Sequence, residues 1–353
     1  MNLRENPFHL LGATTRDSRR RIMQLAEDRA LMMDSDVCAK ARADLTNPRQ
    51  RVSVEVSWLP GVDPESCTNL VRDLATASAV RANGLPPLAM ANLAASALAI
   101  TTTSMPVGAA VEWIVTLATA HDETDPEEVF DAINEDRAAA EMPEVLQQDL
   151  VEEAIAEQRR FYVAAVRTAL DRMPTRQLVE TVTAIVDRTT GKGRQHAPLL
   201  VDQFVDSYEV DAARFLELES VAVGQLLGAL TSAAKKGAQR ATLDRLIERI
   251  EQVVRNWDAV AQPIQLSAMA RGIDHTPSIQ LVNRVRSTAV DLHNEHAMLW
   301  AARRLTSMLR AVFAEVPRVV EFLDNDIATL DRMANVPSNA ALLAELMRQG
   351  KLR

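Results

Sequence analysis

The chain has 353 residues, of which 47% are hydrophobic and only 4% aromatic, and this length suits two or three packed domains. Its formal net charge of −9 argues against nucleic acid as the main partner, because phosphate binding needs clustered Lys and Arg. Cys38 and Cys67 have neither the number nor the spacing of a disulfide framework or a zinc site, and they fit a reducing compartment. Residues 1–20 lack the apolar core of a secretory signal, so we predict a cytoplasmic protein.

The hydrophobic residues are mostly Ala, Leu, Val, Ile and Met. Ala and Leu are the strongest helix formers, whereas strands prefer aromatic and β-branched residues. No segment alternates apolar and polar residues with a period of two between turn residues. We therefore predict an all-α fold, in which N-terminal helices precede an elongated multi-helix body of antiparallel helical hairpins.

The first predicted domain, residues 1–61, contains four short helices. Asn6–Gly12 reads as a short apolar helix that glycine ends, and the next helix spans about 18–33. A polar turn at 34–36 precedes a third helix, and Asn47–Pro48 separates that helix from the fourth.

Two strings in this domain, NPFHLLGATTRDSRRRIMQLAED and ARADLTNPRQR, resemble a J-domain, the module of DnaJ-type co-chaperones. That family has an aromatic residue before Leu–Gly, a capped basic helix, and an Ala-rich helix that leads into an Asp/Asn–Pro–basic break. J-domains stimulate a DnaK-type ATPase through a His–Pro–Asp tripeptide after the second helix. This chain has Met33–Asp34–Ser35–Asp36 there, so the resemblance implies a degenerate module kept for docking. Arg19, Arg20 and Asp36 are its candidate contact residues.

The second predicted domain, residues 62–195, carries most of the acidic residues. From Asp122 to Glu157 there are fourteen Asp and Glu side chains against one basic residue, Arg137. Such a run is typical of a solvated helix face or a connector, and the alternative is a docking surface for a basic partner. The apolar stretch Leu88–Ile100 is too short to span a bilayer, so we predict no membrane partner. Helices are predicted near 65–82, 87–101, 106–120, 126–139, 143–172 and 175–189.

The third predicted domain, residues 196–353, has the clearest helical periodicity. Apolar residues recur at three and four positions from Leu243 to Val260, on a helix that Pro263 is predicted to end. Trp257 lies on this stripe, and we predict that it is a buried anchor. The segment WDAVAQPIQLSAMARGIDHTPSIQLVNRVRSTAVDLHNEHAML resembles a helical segment found downstream of J-domain-like regions in bacterial proteins of unassigned function.

Histidines are the main candidates for chemistry. His293 and His296 share one helical face, as a metal site requires, but they lack the His-Glu-x-x-His pattern of zinc peptidases. Core histidines are the default interpretation for both, with partner contact and metal binding as alternatives. His275 is predicted to lie beside a helix cap, with a site role as the alternative. We predict no catalytic residue, no cofactor and no metal, since nucleophile elbows, dinucleotide fingerprints and paired cysteine motifs are missing from the sequence.

Three functions fit this sequence. The first is a non-enzymatic adaptor that binds another protein, with His275 and His293 as further interaction candidates. The second is a co-chaperone that recruits a DnaK-type ATPase, and the third is a helical metalloprotein or enzyme that uses the region of His293 and His296. The sequence leaves the identity of the partner and the oligomeric state open.

Overall fold

The computed structural model describes residues 1–74 and 84–335 of the chain. These residues form fifteen α-helices and no strand, which confirms the prediction of an all-α protein. The helices are α1 (Pro7–Leu11), α2 (Arg19–Ala30), α3 (Ser35–Thr46), α4 (Pro48–Val56), α5 (Pro64–Asp73), α6 (Pro87–Ile100), α7 (Val107–Asp122), α8 (Pro126–Ala139), α9 (Asp149–Asp171), α10 (Thr175–Thr190), α11 (Leu199–Lys235), α12 (Arg240–Ala270), α13 (Thr276–His296), α14 (Leu299–Val312) and α15 (Pro317–Asn335). None of the helices in this described part of the chain has both the length and the apolar content needed to cross a membrane.

Two helices of the middle region differ from the prediction. The helix predicted at 143–172 begins only at Asp149, and residues 142–147 before it have no regular secondary structure. The helix predicted at 65–82 is observed as Pro64–Asp73, and residues 75–83 lie outside the described part.

The chain divides into two compact units. Unit 1 comprises Met1–Gly191 and Gln195–Ser207, and unit 2 comprises Lys192–Arg194 and Tyr208–Arg353. Within unit 1, helix α4 shares a core with the middle helices, since Val52 and Val56 belong to one apolar cluster with residues of α6, α8 and α9. The three-domain division with boundaries after residues 61 and 195 stays a prediction.

A buried polar cluster around Asn92, which we call the Asn92 cluster, joins three helices of unit 1. The Asn92 amide donates to the carbonyls of Val56 (2.8 Å) and Trp58 (2.7 Å). Its Oδ1 accepts hydrogen bonds from Gln158 Nε2 (2.8 Å) and from the Tyr162 hydroxyl (2.7 Å). Every hydrogen-bonding group of the Asn92 side chain therefore has a partner, and the end of α4 is fixed to α6 and α9.

Helix α12 of unit 2 corrects the prediction that Pro263 ends the helix. The helix continues to Ala270 with Pro263 in its interior. A proline inside a helix costs about 3 kcal/mol, because it removes an N–H donor and crowds the preceding turn. Buried residues on both sides, including Trp257 and Ile264, offset this cost by packing. The Tyr208 hydroxyl also donates to the carbonyl of Val260 (2.9 Å), in the turn that the proline disturbs.

Trp257 is the main aromatic anchor of unit 2. Its side chain is fully buried, which confirms the prediction made from the apolar stripe. The indole Nε1 donates to the carbonyl of Leu216 (3.0 Å), and the ring lies 6.2 Å from that of Phe313 and 6.1 Å from that of His275. It therefore ties α12 to α11 and to the segments that flank α13 and α14.

Candidate protein-binding surface

Helices α2 and α3 are joined by a short turn and pack against each other through apolar residues, and we call the pair the hairpin. Ile22 and Ala26 are the buried residues of α2, and they lie one turn apart on one face. Helix α3 packs against α2 and buries Cys38, Ala41 and Leu45. This spacing of three to four residues is what an amphipathic helix needs to bury one face, and it leaves the opposite faces of both helices in solvent.

The turn between the two helices and the first residues of α3 expose large apolar side chains. We call this segment, residues 31–37, the α2–α3 tip. Leu31 is 86% exposed and Met32 is 84% exposed, while Val37 is also exposed. The Asp34 side chain accepts a hydrogen bond from the Asp36 backbone N–H (2.8 Å), so it caps α3 and fixes the turn. The tip is therefore ordered by a local cap and carries two apolar side chains that are each more than four-fifths exposed.

The N-terminal turn of α2 is positively charged. Arg19, Arg20 and Arg21 are its first three residues, all three are exposed, and the turn contains no acidic residue. The positive end of a helix dipole disfavours cations. Within residues 1–74 and 84–335, neither Arg19 nor Arg20 forms an ion pair that would compensate. Cationic side chains that remain at the start of a helix without an ion-pair partner are expected where they contact another molecule.

A buried ion cluster, Arg51–Glu55–Arg137, holds the base of the hairpin in place. Arg51 Nε donates to Glu55 Oε1 (2.6 Å), and Arg137 Nε donates to Glu55 Oε2 (2.9 Å). All three side chains are almost completely buried. The single basic residue of the acidic stretch thus binds the only carboxylate of α4, and this contact joins α4 to α8.

Backbone carbonyls accept the remaining donors of both guanidinium groups. Arg51 donates to the carbonyl of Thr15 (2.7 Å), before α2, and to that of Leu45 (3.3 Å), near the end of α3. Arg137 donates to the carbonyls of Pro48 and Pro143, both at 3.0 Å. The carbonyls of Thr15, Leu45 and Pro48 flank the hairpin, so the cluster ties α2 and α3 to α4 and α8 of unit 1.

Of the other predicted site residues, Asp36 belongs to the α2–α3 tip, whereas the three histidines lie in unit 2. Asp36 is exposed in the first turn of α3, and His275 is the N-cap residue of α13, where its Nδ1 lies 2.7 Å from the Ser278 hydroxyl. His293 and His296 are half-buried in the last turn of α13. His293 Nδ1 and His296 Nε2 are buried without a hydrogen-bond partner in the described structure.

The described residues contain no group of three or more His, Cys, Asp and Glu side chains that could hold a metal ion. His293 and His296 therefore lack the further protein ligands that a closed zinc site needs. Cys38 and Cys67 are both free and buried, and burial raises the pKa of the Cys67 thiol to about 12. A thiol of this kind is a poor nucleophile and a poor metal ligand.

Sequence reasoning missed two features of this region, the exposed apolar tip and the buried ion cluster below it. Leu31 and Met32 looked like the apolar continuation of α2, which is predicted to run to residue 33 but ends at Ala30. Arg137 looked like an ordinary charged residue, because its partner Glu55 is 82 positions away in the chain. Arg51 and Glu55 have the i,i+4 spacing of a helical ion pair, but that spacing does not show that the pair is buried. The acidic cap residues just after the apolar pair were the only local signal of the turn.

No protein-family model matches this chain, and comparison with curated proteins and with solved structures also gives no match.

Proposed function

We propose that this chain is a non-enzymatic adaptor that binds another protein through helices α2 and α3. The order of α1–α4 and the packing of α2 against α3 support a J-like module, in keeping with the motifs in the sequence. The observation that carries the proposal is the α2–α3 tip, where Leu31 and Met32 are both more than four-fifths exposed. Neighbouring exposed apolar side chains on an ordered turn are typical of a contact surface.

The charge of the hairpin indicates the partner. Arg19, Arg20 and Arg21 lie about 18 Å from the tip, at the other end of α2, given a rise of about 1.5 Å per residue. A partner would therefore present an apolar groove for the tip and acidic side chains for the start of α2. Complementary charge mainly accelerates association and fixes orientation, while the apolar residues supply affinity.

The co-chaperone function is the alternative for the same surface. A DnaK-type ATPase is one candidate partner, but the tip carries Met33–Asp34–Ser35–Asp36 instead of His–Pro–Asp. We therefore expect ATP turnover by a DnaK-type chaperone to stay near its basal rate when this protein is added. A severalfold stimulation that Asp36→Asn abolishes would instead establish the co-chaperone function.

The adaptor function is tested by affinity capture from the native host, with bound proteins quantified by mass spectrometry. We expect the Leu31→Ser/Met32→Ser variant to lose the proteins that the wild type captures. Leu146→Ser is the matched control, because Leu146 is an 87% exposed leucine of the same unit and lies outside the hairpin. Equal loss in the control, or unchanged capture by the double variant, would show that the tip is not the binding surface.

The charge contribution has its own matched pair of variants. Arg20 and Arg176 occupy the second position of α2 and of α10, and both are exposed. Arg20→Glu should weaken capture and make the remainder less sensitive to salt, whereas Arg176→Glu should leave capture unchanged. Equal behaviour of the two variants would show that the start of α2 makes no specific contact.

A further inference from the structure

Four polar side chains form a connected buried cluster in unit 2, which we call the Ser278 cluster. Gln265 Nε2 donates to Asp258 Oδ1 (3.1 Å) and to the Ser278 hydroxyl (2.9 Å). That hydroxyl lies 2.7 Å from His275 Nδ1. Asp258, Gln265 and Ser278 are buried and His275 is half-buried. The ring of the fully buried Trp257 lies 6.1 Å from that of His275, at one end of this chain of contacts.

The hydrogen bonds fix where the protons lie. The Gln265 nitrogen faces the Asp258 carboxyl group, so the amide oxygen of Gln265 points to the other side of the amide. Ser278 already accepts a hydrogen bond from Gln265, and its own proton has His275 Nδ1 as its acceptor. In the tautomer that accepts this proton at Nδ1, His275 is neutral and carries its own proton on Nε2, and burial lowers the pKa of this side chain to about 4.

Two atoms of the cluster are left without partners. His275 Nε2 and Gln265 Oε1 are buried and make no hydrogen bond in the described structure. One is a donor and the other an acceptor, and both side chains bind the same Ser278 hydroxyl. A buried polar atom without a partner costs about 1–3 kcal/mol, so such atoms persist mainly where something else binds them.

Both residues line one cavity of about 220 Å³ between α12, α13 and the start of α15. Its remaining walls are largely apolar, and Glu315 and the ion pair of Asp274 with Arg318 also border it. A mostly apolar cavity with a few polar groups is the usual form of a small-molecule site. The apolar walls are formed by Leu266, Met269, Ile273, Ile279, Val316 and Pro317.

We propose that this cavity binds a small neutral molecule that carries a primary carboxamide on a compact apolar body. The carboxamide oxygen accepts from His275 Nε2, and its NH₂ group donates to Gln265 Oε1. An anion is disfavoured, because Glu315 borders the cavity and Asp274 already neutralises Arg318. Binding in this way satisfies both unpartnered atoms at once, which a purely apolar ligand cannot do.

The same cluster is not arranged for acyl transfer. Ser278 and His275 are within hydrogen-bond distance, but Ser278 does not line the cavity and cannot meet a substrate there. Asp258 contacts Gln265 rather than the histidine, so no carboxylate orients the imidazole as in a catalytic triad. The cluster therefore recognises a ligand rather than attacks one.

Benzamide is a suitable probe, since it joins a primary carboxamide to a compact apolar ring. We expect saturable benzamide binding in ligand-observed NMR, about tenfold tighter than binding of toluene or of benzoate. Toluene lacks both polar groups, and benzoate at neutral pH lacks the donor and carries a charge. No saturable benzamide binding, or equal binding of toluene, would overturn the proposal.

Variants locate the site within the chain. His275→Asn keeps an atom near the position of Nδ1 but has none at Nε2, and Gln265→Leu removes the acceptor. Each should weaken benzamide binding about tenfold, whereas His293→Asn, a histidine of the same helix outside this cavity, should not. Circular dichroism melting curves verify that each variant is folded. Unchanged affinity in both folded variants would show that benzamide binds elsewhere and would contradict the proposal.

Discussion

The Asn92 cluster of unit 1 and the Ser278 cluster of unit 2 bury polar side chains in opposite ways. Asn92 uses both amide hydrogens and its oxygen, with two backbone carbonyls and two side chains as partners. In the Ser278 cluster, Gln265 Oε1 and His275 Nε2 have no partner, although both residues border a cavity. The first cluster is complete within the protein, whereas two atoms of the second have no partner among the described protein groups.

The comparison concerns two roles of buried polar groups, which are to stabilise the fold and to bind a ligand. A satisfied network stabilises one arrangement of helices, because every alternative arrangement leaves polar groups unpaired. A network with unpaired atoms contributes less to the free energy of unfolding. A ligand that supplies the missing hydrogen bonds relieves the cost of those unpaired atoms, which favours binding. Burial alone therefore does not separate structural from binding residues; the Ser278 cluster differs from the Asn92 cluster in having unpartnered atoms on residues that line a cavity.

The largest effect is expected for Glu55, whose cluster is also complete within unit 1. Glu55→Gln keeps the side-chain volume but leaves Arg51 and Arg137 buried beside each other without a counter-charge. Breaking a buried ion pair costs about 3–5 kcal/mol, and we expect a loss of this size in urea denaturation followed by circular dichroism. Asp171→Asn, in the exposed pair with Arg167, should cost about 0–1 kcal/mol. A similar loss in both variants would show that burial of the cluster does not matter.

The two polar clusters are compared directly by leucine substitution. Asn92→Leu strips partners from two buried carbonyls and two side chains, so we expect a loss of about 3 kcal/mol in the free energy of unfolding. Gln265→Leu strips partners only from Asp258 and Ser278 and removes an oxygen that is already unpaired, so it should cost less, about 1 kcal/mol at pH 6. Equal costs, measured by urea denaturation, would remove the distinction between a complete and an incomplete cluster.

The Ser278 cluster should also respond to pH. Burial raises the pKa of Asp258 to about 7, so the stability it contributes is present below pH 4 and is lost as pH rises toward 7. Burial lowers the pKa of His275 to about 4, so its contribution is present above pH 6.5 and is lost as pH falls toward 4. Between pH 4 and 6.5 the two contributions have opposite slopes and offset each other.

Single variants separate the contributions of Asp258 and His275 to the pH dependence of stability. Relative to the wild type, Asp258→Asn should make stability rise more steeply from pH 4 to 6.5, and His275→Asn should make it fall over the same range. Thermal melting at half-unit intervals of pH measures both trends. Parallel curves for all three proteins would show that neither group titrates differently on folding.

Local signals in the sequence predicted much of the helical structure, but not the exposed apolar pair Leu31 and Met32, which lies where α2 was predicted to continue. The cap at Ser18 and the buried pair Ile22 and Ala26 placed α2, and Asp34 marked the turn before α3. These signals act over one or two helical turns, so they can be read from neighbouring residues. The J-like module, the adaptor function and the cytoplasmic location stay predictions.

The sequence by itself determined that the chain is helical, where most helices begin, and that Trp257 is buried, since each follows from residues within one helix. Only the tertiary structure decided that α12 continues through Pro263, because packing on both sides outweighs the lost hydrogen bond. It also decided that Arg137 is paired while Arg20 is free of ion pairs in the described chain, although both are arginines on helices. Partners that lie far apart in sequence set the free energy of such groups, and no local pattern encodes them.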